Sequence, residues 1–337
     1  MKLGIAIEET WDFFREIHAS LEADYDTHLF QRRRLRSGPM HTRINRWLFR
    51  HDLSSFLAAN DVVFFEWASE LLAAATQLPK QCGIVTRLHR YELYQWADRI
   101  NWEAVDRIIL VSKAKQAAFN ARFPAQASKT VVSSPSTSLE KFAFRRSSFG
   151  GNLGILCHLT PRKRVYELIL AFSELLAEEP GLRLHIAGAA PSSYGDYAEA
   201  LHYLVRQLKL EDKVVFYGNV AAAWEWYPQI DIFISNSFSE GLQVAPMEAM
   251  ACGCYTLSHH WEGAEELLPA DHLYLTDRQM QRKVLDFCAL SEAQKLEQAQ
   301  QMRDWACMHF DIRQTIADVR RVIDETYTAT RAGGGGK

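Results

Sequence analysis

Neither sign of charge dominates this 337-residue chain: 38 Lys and Arg stand against 41 Asp and Glu, for a formal net charge of -3. A dedicated nucleic-acid binder carries a strong basic excess, so that class is excluded. No uninterrupted apolar run reaches bilayer length. The most apolar window, DVVFFEWASELLAAATQL, is broken by Glu66 and Glu70, so it is not read as a span and any membrane contact is peripheral. The start MKLGIAIEE lacks the basic flank and long apolar run of a signal peptide. The cysteines are few (Cys82, Cys157, Cys252, Cys254, Cys288 and Cys307) and lack zinc-ribbon spacing. Together these features predict a cytoplasmic protein in a reducing compartment, with the inner membrane face as the place of any peripheral contact. Metal-ligand patterns are missing too. There is no D-x-D-like acidic pair at a strand end, Asp231 opens a strand alone, and adjacent His259 and His260 point to opposite faces of an extended segment. No metal site is expected.

What is present is ordinary for a globular chain, with 48% hydrophobic and 23% charged residues. The length exceeds that at which one core stops growing and predicts two domains. Short apolar runs alternate with helix-length amphipathic segments, the pattern of parallel sheets covered by helices. One series reads KLGIAIE, YDTHLF, DVVFFEW, GIVTRLH, RIILVS and TVVSSP; a second reads LGILCHL, LRLHIAG, KVVFYG, DIFISN and CYTLSH. The fold class is therefore α/β, with two doubly wound domains. The Ser- and Gly-containing RRSSFGGN, residues 145 to 152, marks the linker and gives domains 1–148 and 149–311. Ile312, Ile316, Val319, Ile323 and Tyr327 form one apolar stripe on a final helix, 312–330, free to cross back to the first domain. The tail 331–337, ending in GGGGK, has no core residues and is expected to be disordered.

Charge is uneven along the chain. Residues 1–150 hold 21 basic against 16 acidic residues, and the remainder 17 against 25. Much of the basic excess lies in segment 32–50, where Arg32, Arg33, Arg34, Arg36, Arg43, Arg46 and Arg50 interleave with Trp47, Leu48 and Phe49. Such a stretch suits an anionic membrane surface or an anionic acceptor. It also suits a solvated helix face whose aromatic residues enter the core.

The most informative segment is DIFISNSFSEGLQVAPMEAMACGC. A strand ends at Asn236, a loop carries Glu240, Gly241, Leu242 and Gln243, and a helix starts near Val244. This places free backbone N–H groups at the carboxyl end of a sheet, where doubly wound folds bind polar ligands. Gly241 lets the backbone approach a ligand. Glu240 can accept hydrogen bonds from two neighbouring hydroxyls, and Glu248 can bridge a ribose diol. The alternative is structural: Glu240 caps the helix and Glu248 is a paired, buried acid.

SEGLQVAPMEAMACG resembles the donor-site signature of the family-4 retaining glycosyltransferases, which adopt the GT-B architecture of two Rossmann-like domains with an interdomain cleft. LGILCHLTPRKRVYELILAFSELL, RLHIAG and KVVFYGNV resemble that family's first three C-domain strands, and RLHRYELYQWADRINWEAVDRIILVS the matching part of its N-domain. The likeness covers most of residues 80–270 and is loose before residue 60. It implies a retaining transferase that moves a sugar from a UDP- or GDP-sugar to a hydroxyl acceptor (a glycan, lipid-linked or small molecule) without a metal or other cofactor. It also implies roles: Lys163, Arg162 and His158 at the donor diphosphate, Gly188, Asn219 and Val220 along the donor nucleotide, Gly241, Leu242, Gln243 and Glu248 in the donor loop. Glu240 would orient the sugar, His89 would stabilise positive charge at its anomeric carbon, and Arg87, Arg90 and Glu92 would lie on the acceptor side. Two departures stand out: Cys157 and His158 replace the family's Gly-Arg pair, and acidic Glu8, Glu9 and Asp12 replace a glycine-rich turn. Two other readings stay open: another activity of the same fold, such as a nucleotide-sugar epimerase, and a catalytically silent nucleotide-sugar binder, which the departures encourage.

Overall fold

The computed structural model describes all residues except Phe13, Gly38, Pro39, Ser147 and 335–337, and no side chain at 333 or 334. The chain forms two compact units, one of Met1–Pro135 with Ile312–Lys337, the other of Ser136–Asp311.

The first unit is built on β1 (Lys2–Ala6), β2 (Asp26–Leu29), β3 (Val62–Glu66), β4 (Gly83–Leu88), β5 (Arg107–Leu110) and β6 (Thr130–Val132), in the order β2-β1-β3-β4-β5-β6. Every pairing is parallel. The inner strands VVFFE and GIVTRL are buried along their whole length, as a parallel sheet covered on both faces requires, and β-branched and aromatic residues fit that surface. On one face Phe49, Leu53 and Leu57 of helix His41–Ala59 join Phe65, Leu88 and Leu110. On the other, Val319, Val322 and Ile323 of helix Ile312–Gly334 pack with Leu3, Ile5, Phe64 and Ile109. That helix runs beyond the expected end at residue 330, so 331–334 are helical; the rest of the expected disordered tail lies outside the described residues.

The second unit carries β7 (Asn152–Leu156), β8 (Arg183–Ala187), β9 (Val214–Gly218), β10 (Ile232–Ser235), β11 (Tyr255–His259) and β12 (Leu273–Tyr274), again parallel, in the order β12-β11-β10-β7-β8-β9. Strand β12 was not expected: two residues carry no periodicity. The chain enters this unit at Ser136, ahead of the linker read at 145–152. The segment between is anchored by side chains. Phe142 is buried in the second unit's core beside Tyr227 and Phe233. Arg146 donates to the carbonyls of Ile230 (2.6 Å), Pro228 (3.1 Å) and Tyr227 (3.2 Å).

Candidate functional site

In both sheets the strand order reverses beside the first strand, between β1 and β3 and between β7 and β10. Loops leaving the carboxyl ends there diverge to opposite faces and open a crevice, the ligand position of doubly wound folds.

In the second unit, the loop after β7 forms a short 3-10 turn, Pro161–Lys163, and Arg164 in the left-handed region (φ 51°) starts helix Val165–Leu175. The loop after β10 is tied to it by backbone acceptors: Asn236 Nδ2 donates to the Arg164 carbonyl at 2.9 Å and Phe238 N to that of Arg162 at 3.3 Å. Asn236 is held in turn by the Tyr274 hydroxyl, 2.8 Å from its Oδ1. Arg162 Nη1 donates to the Ser239 carbonyl at 2.7 Å and also meets Glu240. Lys163 Nζ lies 2.7 Å from Glu240 Oε1. Glu240 is buried. Burial by itself penalises its charge, but Lys163 and Arg162 outweigh that and hold the carboxyl below its ordinary value. The result is an ionised carboxylate beside two cations at the switch point.

Around this triad, Gln243 precedes helix Val244–Ala251 at the N-cap position, and its Nε2 donates to Ser237 Oγ at 3.0 Å, while its Oε1 meets Ser235 Oγ. Gly241 and Leu242 are buried, Leu242 within the core. Glu248 is half-buried and receives the Tyr227 hydroxyl at 2.8 Å; burial and that acid push the Tyr227 phenol well above its ordinary value. His158 is exposed at the end of β7. Cys157 beside it has its thiol pushed up by burial to about 11. Gly188 ends β8 at φ +112°, its N–H donating to the Gly218 carbonyl at 2.7 Å. Asn219 is exposed and Val220 half-buried just beyond edge strand β9.

In the first unit, Glu66 ends β3 and Arg87 is its register partner on β4. Arg87 Nε lies 3.0 Å from both Glu66 oxygens and Nη2 lies 2.7 Å from Oε1. Both side chains are essentially inaccessible, at 1% and 0% exposure, so Arg87, expected to meet an acceptor, is instead committed to a buried pair. Burial opposes Glu66 ionisation, but Arg87 and the His89 contact keep its carboxyl below the ordinary range. His89 Nε2 is 3.0 Å from Glu66 Oε1, and the imidazole stacks on Trp67 with centroids 4.1 Å apart. Trp67 adopts φ +74°, which is rare for a bulky residue. Glu92, also assigned to the acceptor side, is fully buried. Its Oε1 accepts from Ala68 N at 3.1 Å and His89 N at 3.3 Å, so it fixes the start of helix Arg90–Gln95. Half-buried Arg90 lies over the Tyr94 ring. The acidic turn after β1 turns inward at Glu9, which accepts from the Tyr91 hydroxyl at 3.0 Å. Reading the sequence missed Glu66, Trp67, Ser237, Tyr227 and Tyr274; only strand register and burial reveal them.

Among the described residues, no three His, Cys, Asp or Glu side chains are grouped as ligands of one ion, and no helix is long and apolar enough to cross a membrane.

Two parallel six-stranded sheets flanked by helices, each with a polar cluster at its switch point, define the GT-B class of fold. Residues 153–283, which lie within the second unit, match the family model of glycosyl transferases group 1. The chain is similar to the alpha-monoglucosyldiacylglycerol synthase of Streptococcus pneumoniae, 29% identical over 106 residues, which are 31% of this chain and 23% of that protein. It is also similar to D-inositol 3-phosphate glycosyltransferase 2 of Catenulispora acidiphila, 36% identical over 101 residues, 28% of this chain and 24% of that protein. These matches thus span about a quarter of the curated relatives' length. Among solved structures, Anabaena Alr3699/HepE in complex with UDP and glucose superposes with TM-score 0.75 at 17% identity, covering 96% of this chain and 99% of that one. Sucrose-phosphate synthase from Thermosynechococcus elongatus gives 0.77 at 14% identity, covering 98% and 100%. At such identities the likeness establishes the fold.

Proposed function

We propose that the protein is a retaining glycosyltransferase that moves a sugar from a UDP- or GDP-sugar to a hydroxyl acceptor without a metal ion. The reading rests on one observation: a buried, ionised Glu240 sits against Lys163 and Arg162 at the β7/β10 switch point, inside the segment that matches the family model. Lys163 and Arg162 offset the charge that develops on the departing diphosphate, the role electrostatic stabilisation plays wherever charge accumulates in a transition state. Their release from Glu240 frees its carboxylate oxygens for two sugar hydroxyls, and Glu248 takes the ribose diol. His89, held by Glu66 and stacked on Trp67, supports positive charge at the anomeric carbon. The acceptor hydroxyl attacks on the face from which the diphosphate departs: the bond from anomeric carbon to diphosphate oxygen breaks, the bond to the acceptor oxygen forms, and the acceptor proton passes to the diphosphate. Configuration is retained and no enzyme-bound sugar forms.

The Anabaena structure was solved with UDP and with UDP-glucose, and that supports a uridine donor first. A reducing, cytoplasmic setting fits the free cysteines. The test is a melting-temperature screen with UDP, GDP and their sugar conjugates, since a ligand of the folded state raises the melting point. NMR of the product of the best donor, formed with and without EDTA, completes it. An inverted anomer, loss of turnover in EDTA, or a sugar trapped on Glu240 overturns the corresponding part.

A further inference from the structure

We infer that the amino-terminal half of helix His41–Ala59 docks on an anionic lipid surface. The helix has two apolar faces. Phe49, Leu53 and Leu57 enter the core. At 100° per residue, Ile44, Trp47 and His51 fall on the side roughly opposite, and Met40 precedes them at the helix N-cap. That side is open to water: Met40 is 69%, Trp47 62% and Ile44 38% exposed. Trp47 and His51 stack, with centroids 5.3 Å apart, so the two rings form one surface.

Solvated apolar side chains scattered singly need no explanation; here three line one stripe beside unneutralised charge. Arg43 and Arg50 flank Trp47 at four- and three-residue spacing, and Arg46 lies further round, towards the side that buries Leu53 and Leu57 two and three turns on. All three are exposed, as is Arg36, and none of the four has an ion-pair partner among the described residues. The arginines nearby are different: Arg32 pairs with Glu8 and Glu70, and Arg33 with Asp52. Asn45 ties the preceding loop to the helix, accepting from Leu35 N at 2.8 Å and donating to the Leu35 carbonyl at 3.0 Å, which holds Arg34 and Arg36 near the same end.

An acidic protein would answer the charges but leave the Met40, Ile44 and Trp47 stripe unexplained. An anionic bilayer answers both, because Trp settles at the headgroup level and long apolar side chains reach the acyl boundary while arginines meet phosphates. The contact is independent of the transfer reaction, so its test needs no turnover. The full chain is sedimented with vesicles of phosphatidylcholine containing one third phosphatidylglycerol, and with pure phosphatidylcholine. The expected result is binding to the first only, falling steeply as salt shrinks the Debye length. Arg43→Glu with Arg46→Glu and Arg50→Glu lowers affinity by roughly two orders of magnitude. Trp47→Ser lowers it at every salt concentration. The same reversal of exposed Arg206, Arg278 and Arg282 on the other unit leaves binding unchanged. Equal binding to both vesicles, wild-type affinity in the triple variant, or an equal loss in the control overturns the inference. So does capture by an acidic protein matrix alone.

Discussion

Lys163 Nζ and Glu240 Oε1 are 2.7 Å apart, although the two residues belong to loops separated by three intervening strands in sequence. Only the reversal of strand order between β7 and β10 makes these loops neighbours. The pair thus ties the two loops together at the point where the strand order reverses.

If Glu240 positions the sugar, Glu240→Gln keeps the size and one acceptor oxygen but removes the charge that holds Lys163 and Arg162. Turnover is expected to fall by about 100-fold or more, a barrier increase of about 3 kcal/mol, as when one preorganised group of an active site is lost. The melting temperature should change far less. Nucleotide release per enzyme, measured beside a melting curve, checks this, and near-wild-type turnover would place the site elsewhere.

The same carboxylate makes the second unit acid-sensitive. Its folded value lies below its ordinary one because Lys163 and Arg162 outweigh burial. A depressed carboxyl contributes stability in full above the unfolded value of about 4.3, and loses it as pH falls towards the folded value. Unfolding curves from pH 7 to pH 3 should show wild type losing its advantage over Glu240→Gln in the lower part of that range. A gap that stays constant with pH contradicts the ion-pair assignment.

Much of the fold was legible because parallel strands buried on both faces spell near-continuous apolar runs such as VVFFE and RIIL. The loop after β10 was legible as a loop because a glycine and an acid follow a strand directly. The partners were not. Glu66 meets Arg87 through strand register across 21 positions, and Tyr274 reaches Asn236 from a two-residue strand without periodicity. Arg146 lies in a segment whose composition reads as linker, yet its guanidinium satisfies three carbonyls near Tyr227. Local pattern reveals elements; it does not reveal which side chain closes which polar group.

The Glu66 and Arg87 pair has no solvent to fall back on. Removing one partner leaves a buried charge uncompensated, so Glu66→Ala and Arg87→Ala should each cost about 3–5 kcal/mol. Replacing both with apolar residues of similar size, Glu66→Leu with Arg87→Met, should recover a large part of that loss. Urea unfolding of the four proteins in a double-mutant cycle measures the coupling. The double variant should still lose turnover, because His89 then lacks the carboxylate 3.0 Å from its Nε2. Strictly additive single losses would mean that the pair is not one unit.

Gly188 is the backbone counterpart of that requirement. Its φ of +112° is a conformation L side chains rarely adopt, and a Cβ there would stand 1.9 Å from the Cys157 carbonyl oxygen. That oxygen cannot retreat, since Cys157 N donates to the Ala187 carbonyl at 3.0 Å and Gly188 N to the Gly218 carbonyl at 2.7 Å, locking the ends of β7, β8 and β9 together. Backbone strain of about 1–3 kcal/mol and overpacking of a similar size add. Gly188→Ala should therefore destabilise the second unit by at least about 3 kcal/mol and weaken binding of the nucleotide sugar, because the loop bearing Lys163 starts at Cys157. Gly181→Ala is the matched control: nothing lies within 4 Å of its added Cβ and its φ is ordinary, so the change should be neutral or raise stability by about 0.4–1 kcal/mol. If both variants unfold at the same urea concentration, the close approach of β8 to the loop after β7 is not what demands glycine there.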